Sequence, residues 1–188
     1  MKRTIWTLTG LTVVAWLLGS GLLAGSSTAT EQVSARPRIK VAVLEKVAKG
    51  QSARRFGTFY PELARAAREA FSRDGRFEVI SPAVIDQALA DLGTAPGKID
   101  PDDIAQLREI GGRAGADLVL AGSYYEMSCH GGPMRSNSGL SLVRVDLGQT
   151  ETVHCTSTQE LSSRELASGD ASALEELLRR AESLLADR

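Results

Sequence analysis

The side chains best suited to metal binding or redox chemistry lie close together in the second half of the chain. Apart from the initiator, every methionine, cysteine and histidine falls within one short stretch: Met127, Cys129, His130, Met134, His154 and Cys155. Thioether, thiolate and imidazole groups are the ligands that copper(I) and zinc prefer. Adjacent residues in a strand point to opposite faces, so a Cys–His doublet chelates an ion only in a loop. The cluster is a candidate copper or zinc site, and the alternative is ordinary packing or solvent exposure of these side chains.

Cys129 and Cys155 also form a candidate disulfide. An even cysteine count in an exported protein is typical of a disulfide, which would contribute about 3 kcal/mol across a loop of this length. The strand predicted at Leu140–Leu147 lies between them, however, and two strand spacings of about 4.8 Å exceed the reach of a disulfide. The bond requires the segment 128–138 to fold back over the sheet, or another strand order. Disulfide and free thiols therefore stay alternatives.

A segment rich in basic and aromatic residues follows the first predicted strand. We expect Glu45–Thr58 to be a hydrophilic loop, and its part Glu45–Arg55 is a candidate for contact with an anionic lipid surface or an acidic protein. The alternative is a solvated loop without a partner. The candidate partner-binding residues are Lys46, Lys49, Arg54, Arg55 and Phe56.

No residue pattern indicates an enzyme active site. The glycine-rich run at 111–115 follows a predicted helix and precedes a predicted strand, which is the reverse of a phosphate-binding loop, so we expect it to end the helix. The sequence holds no nucleophile elbow, HExxH motif or paired Cys-x-x-Cys motif. A formal net charge of −1 argues against non-specific nucleic-acid binding, which needs a basic surface. We predict a protein with neither catalytic residues nor a cofactor.

The first 29 residues have the pattern of a secretory signal peptide. Lys2–Arg3 precedes an uncharged, largely apolar run, Ile5–Ala24, and Ser27 and Ala29 suit a cleavage site. The alternative is an uncleaved anchor, since the run approaches the ~20 residues that cross a bilayer. That anchor would be the chain's contact with a membrane. Ser26 stands where a lipoprotein signal has its lipidated cysteine, so we expect an unlipidated periplasmic protein.

Beyond the leader we expect a linker at 30–37 and one domain at 38–188. Alternating apolar residues predict strands at Arg38–Leu44 and around Phe77–Val79. The apolar run that begins at Leu118 predicts a central strand covered on both faces. Leu140–Leu147 and Glu151–Thr158 then predict a hairpin.

Helical periodicity predicts four helices between and after these strands. The first begins at Pro61, the second at Ser81–Pro82 and the third after Asp100–Pro101, because proline suits a first helical turn. The second buries Val84 and the third buries Ile104. The last helix is C-terminal and is capped by Asp170. This order indicates an α/β (α+β) sandwich, with a mixed sheet of about five strands, a C-terminal antiparallel meander and flanking helices.

Four segments resemble a known bacterial envelope domain: Lys40–Leu44, Gly75–Ile80, Gly115–Gly122 and Leu142–Asp146. The domain is shared by curli-secretion lipoproteins, penicillin-binding-protein activator lipoproteins and the amino-terminal domain of the Tol-system propeller protein. Uncharacterised DUF2380/DUF3280-type proteins are similar. The resemblance implies action through protein–protein contacts in the envelope and no catalytic residues.

We therefore expect an exported, non-enzymatic accessory protein that helps to assemble or activate an envelope or secretion system. Its partners would be envelope proteins rather than nucleic acid. The alternative is a periplasmic copper- or zinc-binding, or redox, accessory protein that uses the Met/Cys/His cluster.

Overall fold

A mixed β-sheet separates two layers of helices. The computed structural model describes residues 37–127, 135–157, 159 and 161–186. The strands are β1 (Ile39–Val43), β2 (Lys46–Gly50), β3 (Phe59–Tyr60), β4 (Phe77–Val79), β5 (Leu118–Met127), β6 (Arg135–Arg144) and β7 (Thr150–Ser157). The helices are α1 (Ser52–Phe56), α2 (Pro61–Arg73), α3 (Pro82–Asp91), α4 (Ile104–Ala114) and α5 (Ser163–Leu185).

Strand β5 is the centre of the sheet. Along one edge β6 pairs antiparallel with its full length, and β7 pairs antiparallel with β6. Along the other edge β1 and then β2 run parallel to β5. Strand β4 lies beside β1, and β3 lies beside β2. The described part of the sheet is thus about five strands wide and ends in a meander, which confirms the predicted fold class.

The two faces of the sheet bury separate apolar clusters. Leu118 and Leu120 of β5 pack on the side of α2 and α5. Val119 and Ala121 of the same strand pack on the side of α3 and α4. All four side chains are at most 2% exposed, so the prediction of a central strand covered on both faces is confirmed.

A bulge of one residue joins β1 to β2. Val43 lies opposite Leu120, and Val47 lies opposite Ser123, so four steps along this edge match three steps along β5. An extra residue of this kind reverses the alternation of faces along a strand. Val43 and Lys46 consequently lie on the same face, towards α2 and α5.

The expectation that Glu45–Thr58 is a loop is wrong. The segment contains β2 and α1, and its first residues Lys46, Val47 and Ala48 are buried. They are buried because the bulge lets the chain continue along β5 after β1 ends. The basic side chains suggested solvent exposure, but the pairing with β5 decides the position of the backbone.

Helix α5 begins earlier than predicted. The hydroxyl of Ser162 accepts a hydrogen bond from the Glu165 amide, and the Glu165 carboxylate accepts one from the Ser162 amide. This capping box starts the helix. The Ser162 hydroxyl, at 2.6 Å, and the Ser162 amide both donate to the Glu165 carboxylate, and these bonds hold the pKa of Glu165 below its usual value. Asp170 is therefore an interior residue of α5, and the prediction that it caps the helix is wrong.

Helix α4 continues through two glycines that were expected to end it. Gly111 packs so closely on the sheet that an added Cβ would lie 2.5 Å from Val119 and 2.6 Å from Val145. The helix ends instead at Gly115, whose φ of +70° is the left-handed conformation typical of a glycine C-cap. Two predicted core residues near the starts of α3 and α4, Val84 and Ile104, are exposed.

The described residues, from 37 to 186 with the gaps given above, belong to one compact unit. None of the helices in the described ranges combines the length and apolar character needed to span a membrane. The predicted signal peptide at 1–29 lies outside the described residues, as does all of the predicted linker except Pro37, so these boundaries stay predictions.

Candidate functional site

A buried ion pair lies between the sheet and α5. The Lys46 ammonium is 0% exposed and donates to Asp170 Oδ1 at 2.5 Å and to Ser138 Oγ at 2.6 Å. The Asp170 side chain is 5% exposed. The Ser138 hydroxyl also donates to Asp170 Oδ1, at 3.2 Å. One lysine thus connects β2, β6 and α5, because the bulge turns it inward.

Aromatic rings and a glycine make room for this lysine. The Nζ atom lies 5.8 Å from the ring centroids of both Tyr60 and Tyr124, a distance at which ring faces attract cations. Phe56 packs edge-on against both rings. On β5, Gly122 faces the lysine stem, and an added Cβ would lie 3.3 Å from Lys46 Cγ and 2.7 Å from Leu140.

A second polar chain continues along the same face. The Tyr124 hydroxyl donates to Glu126 Oε1 at 2.7 Å and contacts Ser136 Oγ at 3.3 Å. Arg55 lies 3.5 Å from the same carboxylate. Burial of the ring raises the pKa of Tyr124 to about 12, and the hydrogen bond to Glu126 adds to the rise. Burial also raises the pKa of Tyr60, with a further contribution from the negative charge of Asp170.

The Ser138–Lys46 contact does not form a catalytic pair. A lysine base needs a free amine and a serine nucleophile needs access to a substrate. The Lys46 ammonium is instead paired with a carboxylate, and both Lys46 and Ser138 are buried. The arrangement therefore anchors α5 on the sheet rather than activating a hydroxyl group.

A groove of about 980 Å³ opens between α2 and α5, directly above this ion pair. Its floor is apolar and aromatic, and charged residues stand along its rim. We call it the α2–α5 groove. It is lined by Arg55, Phe56, Phe59, Tyr60, Pro61, Glu62, Leu63, Arg65, Ala66, Ala70, Arg73, Ser163, Arg164, Ala167, Asp170, Ala171, Leu174, Glu175 and Leu178.

One oxygen of Asp170 has no hydrogen bond. The Oδ1 atom accepts from Lys46 and Ser138, but the buried Oδ2 atom has no hydrogen-bond partner among the described residues. A buried acceptor without a donor costs about 1–3 kcal/mol, so this cost belongs to placing the ion pair in the core.

The structure separates the basic residues that the sequence grouped together. Lys46 is enclosed in the core, so it is not available to an anionic surface. Lys49 pairs with Asp100 at 3.0 Å, and Arg54 is exposed on α1. Arg55 and Phe56 line the α2–α5 groove.

The two described members of the Met/Cys/His cluster lie far apart. Met127 is exposed at the end of β5, where it pairs with Arg135, whereas His154 is exposed on β7 opposite Gly139. Four residues along the strands and two strands across amount to roughly 15 Å or more. These two side chains therefore cannot bind the same ion.

The remaining ligand candidates lie outside the described residues. Cys129, His130 and Met134 fall in the gap at 128–134, and only the backbone of Cys155 is described, opposite Ser138. Within the described ranges no group of three or more His, Cys, Asp or Glu side chains is placed to hold a metal ion. The copper or zinc site and the Cys129–Cys155 disulfide stay predictions.

Sequence reasoning missed Asp170 and Tyr124 as site residues. A usable signal was present for Asp170, because it stands four residues from both Leu166 and Leu174 on the buried stripe of α5. A carboxylate at such a position requires a buried donor. No local signal identifies Lys46 as that donor, since its orientation depends on the bulge.

Comparison with known proteins gives likenesses of structure only. No family model and no curated protein sequence matches the chain. The LpoB C-terminal domain from Salmonella enterica is 18% identical with a TM-score of 0.45, over 65% of this chain and 83% of that one. The lipoprotein GNA1162 from Neisseria meningitidis is 16% identical with a TM-score of 0.40, over 80% and 99% of the two chains. The PelC dodecamer from Paraburkholderia phytofirmans is 15% identical with a TM-score of 0.37, over 75% and 85%. Such identities and scores carry no information on activity or partners.

Proposed function

We propose that the protein is an exported accessory protein of the bacterial cell envelope, which acts in the periplasm by binding another envelope protein in the α2–α5 groove. The observation that carries this proposal is the groove itself, which combines apolar and aromatic residues with several arginines. The leader and the resemblance of four segments to envelope domains support the location. The sealed Lys46–Asp170 pair supports a binding role rather than a catalytic one.

The chemistry of the groove selects a protein segment with apolar side chains and at least one acidic residue. Phe56 and Leu178 are half-buried and offer apolar contact area. On the rim, four arginines (Arg55, Arg65, Arg73 and Arg164) outnumber the two glutamates Glu62 and Glu175. The Arg65–Glu69 ion pair, at 3.7 Å, is exposed and weak, whereas Arg55 is paired with the buried carboxylate of Glu126. A partner carboxylate therefore gains attraction at this rim.

Photo-crosslinking in living cells tests this function. A photoreactive residue at Ala171, exposed in the groove, should yield a discrete adduct with an envelope protein, whereas one at Ala105, exposed on α4 behind the sheet, should not. Filling the groove with Ala167→Trp, or reversing a rim charge with Arg164→Glu, should remove the adduct. Equal adducts from Ala171 and Ala105, or an adduct that survives both changes, would show that the groove is not the docking site.

A further inference from the structure

A second, smaller cavity lies at the carboxyl end of β1, apart from the α2–α5 groove and unused by the proposed function. Its volume is about 220 Å³. Apolar side chains from β1 and α3 form most of its wall, and the turn at Pro96–Lys98 lies over it; they are Val43, Leu44, Ile85, Leu89 and Ile99. We call it the strand-end cavity. Ligands of open α/β sheets bind at the carboxyl ends of parallel strands, where this cavity lies.

One polar residue of the cavity wall is Arg68, which comes from α2. Its Nε atom is buried and has no hydrogen-bond partner among the described residues. Its Nη2 atom donates to the Val43 carbonyl oxygen at 3.5 Å, at the outer limit of a hydrogen bond. A buried donor without an acceptor is costly. Nε and the second N–H of Nη2 can therefore pair with an acceptor that has two oxygens when the side chain turns towards the cavity.

The start of α3 adds to the preference for an anion. Pro82, the first residue of this ten-residue helix, lines the cavity, and no acidic residue occupies the first turn. The Ser81 side chain makes no capping hydrogen bond. No acidic side chain in the first turn of α3 therefore offsets the positive end of the helix dipole.

Two exposed carboxylates limit the charge that the cavity accepts. Glu45 and Asp86 also line it, and no ion pair joins either of them to Arg68 in the described part of the chain. They repel a multiply charged anion such as phosphate. They suit a ligand that carries one carboxylate at one end and an N–H donor or ammonium group at the other.

We infer that the strand-end cavity binds a small aliphatic amino-acid carboxylate, either a free amino acid or the C-terminal residue of a peptide. The carboxylate lies on the Nε–Nη2 edge of Arg68, as planar bidentate pairing favours. The aliphatic side chain packs on Ile85 and Leu89. The amino or amide nitrogen faces Glu45 and Asp86.

An NMR titration with defined probes tests this assignment, and it uses the protein as purified from cells. Leucine, N-acetylleucine, leucinamide and a tetrapeptide that ends in leucine are added separately. We expect saturable shifts of the Ile85 and Leu89 methyl signals with at least one carboxylate probe, and at least tenfold weaker binding of leucinamide. Preference for leucine identifies a free amino acid, and preference for the tetrapeptide identifies a chain terminus. Leucinamide binding as tightly as the carboxylates, or no shift with any probe, would overturn the assignment.

Variants of two arginines provide the controls. Arg68→Gln should weaken binding of the preferred probe at least tenfold. Arg68→Lys, which keeps the charge but loses the two-pronged edge, serves if Arg68→Gln does not fold and should also weaken binding. Arg113→Gln changes an exposed arginine of α4 that lines neither the strand-end cavity nor the α2–α5 groove, and it should leave binding unchanged. Unchanged binding in both folded Arg68 variants contradicts the proposed site.

Discussion

At the scale of single residues, the most unusual feature of the fold is a charged pair in its interior, formed by Lys46 and Asp170. A buried ion pair often contributes little net stability, because desolvation of the two charges offsets their attraction. It nevertheless makes alternative packings costly, since either charge alone is strongly unfavourable in the core. The Lys46–Asp170 pair therefore fixes how α5 lies on the sheet.

Removal of one partner should be far more damaging than removal of both. Lys46→Met leaves the Asp170 carboxylate buried without its cation, so we expect a loss of about 3–5 kcal/mol in the free energy of unfolding. The double change Lys46→Met with Asp170→Leu should recover most of that loss. Urea unfolding of the unchanged protein, Lys46→Met, Asp170→Leu and the double variant measures the coupling free energy between the two side chains.

An exposed pair gives the matched control for that cycle. Lys49 and Asp100 lie 3.0 Å apart with their side chains 39% and 56% exposed. Lys49→Met should cost less than about 1 kcal/mol, because water screens such pairs. Equal costs for Lys46→Met and Lys49→Met would contradict the importance of burial at Lys46.

Tyr124 should make the folded state sensitive to alkaline pH. Its pKa is about 12 in the folded protein, against about 10 in an unfolded chain. As pH rises above 10 the unfolded chain loses this proton first, so stability falls, by about 2–3 kcal/mol by pH 12. In Tyr124→Phe this loss should be absent. Unfolding free energies of both proteins at several alkaline pH values provide the test, and a difference that does not change with pH would count against it.

Residue-scale prediction from sequence succeeded where the pattern is local. Asp103, one of the carboxylates predicted at the start of α4, does cap the helix, accepting from the Gln106 amide at 3.0 Å. The prediction that Pro101 lies in the first turn is wrong, because α4 begins at Ile104. The role of Lys46 could not be predicted from a local pattern, because it depends on Ser138 and Asp170, which are 92 and 124 residues away in the chain.

At the scale of secondary-structure elements, α4 depends on a close approach to the sheet at Gly111. We expect Gly111→Ala to lower the free energy of unfolding by about 1–3 kcal/mol, because the new methyl group would overlap Val119 and Val145. Gly112→Ala is the matched control. An added Cβ there meets nothing closer than 4.0 Å, so alanine should instead stabilise the helix by up to about 1 kcal/mol. Thermal or urea unfolding distinguishes the two, and equal effects would exclude a packing role for Gly111.

The starts of α2 and α3 were predictable from sequence, whereas those of α4 and α5 and some helix interiors and ends were not. Pro61 and Pro82 open α2 and α3 as expected, since proline fits a first turn. The glycines of α4 were misinterpreted because a helix tolerates glycine where a neighbouring strand leaves no space for a side chain. The close approach of the strand depends on tertiary packing, so no local sequence pattern indicates it.

At the scale of the whole molecule, stability and binding should be separable on one face of the sheet. Ala171 is exposed in the α2–α5 groove, so Ala171→Trp should change the free energy of unfolding by no more than about 0.5 kcal/mol. The same change should abolish adduct formation from a photoreactive residue at Ala66 on the facing helix. Ala105→Trp, behind the sheet, should affect neither measurement.

The layer order and the mixed sheet were predictable because each element carries its own periodicity. The α2–α5 groove was not, because it results from the relative position of two helices about 100 residues apart in the chain. Prediction of the Glu45–Thr58 segment failed for a related reason. The pairing with β5 determines the path of its backbone, whereas the amino-acid composition indicates only the polarity of its side chains.

The offset between Val43 and Val47 has a consequence for how this segment tolerates change. Substituting Leu44 or Glu45 leaves the number of residues unchanged, and deleting one of them would remove the offset while Lys46 still faced α5. Inserting one residue there would instead shift the chain one step along β5 and invert every position up to Gly50, so that Val47 would point towards α5 and Lys46 into the apolar layer beneath α3 and α4. In this stretch the spacing is a stricter requirement than the identity of the amino acids that provide it.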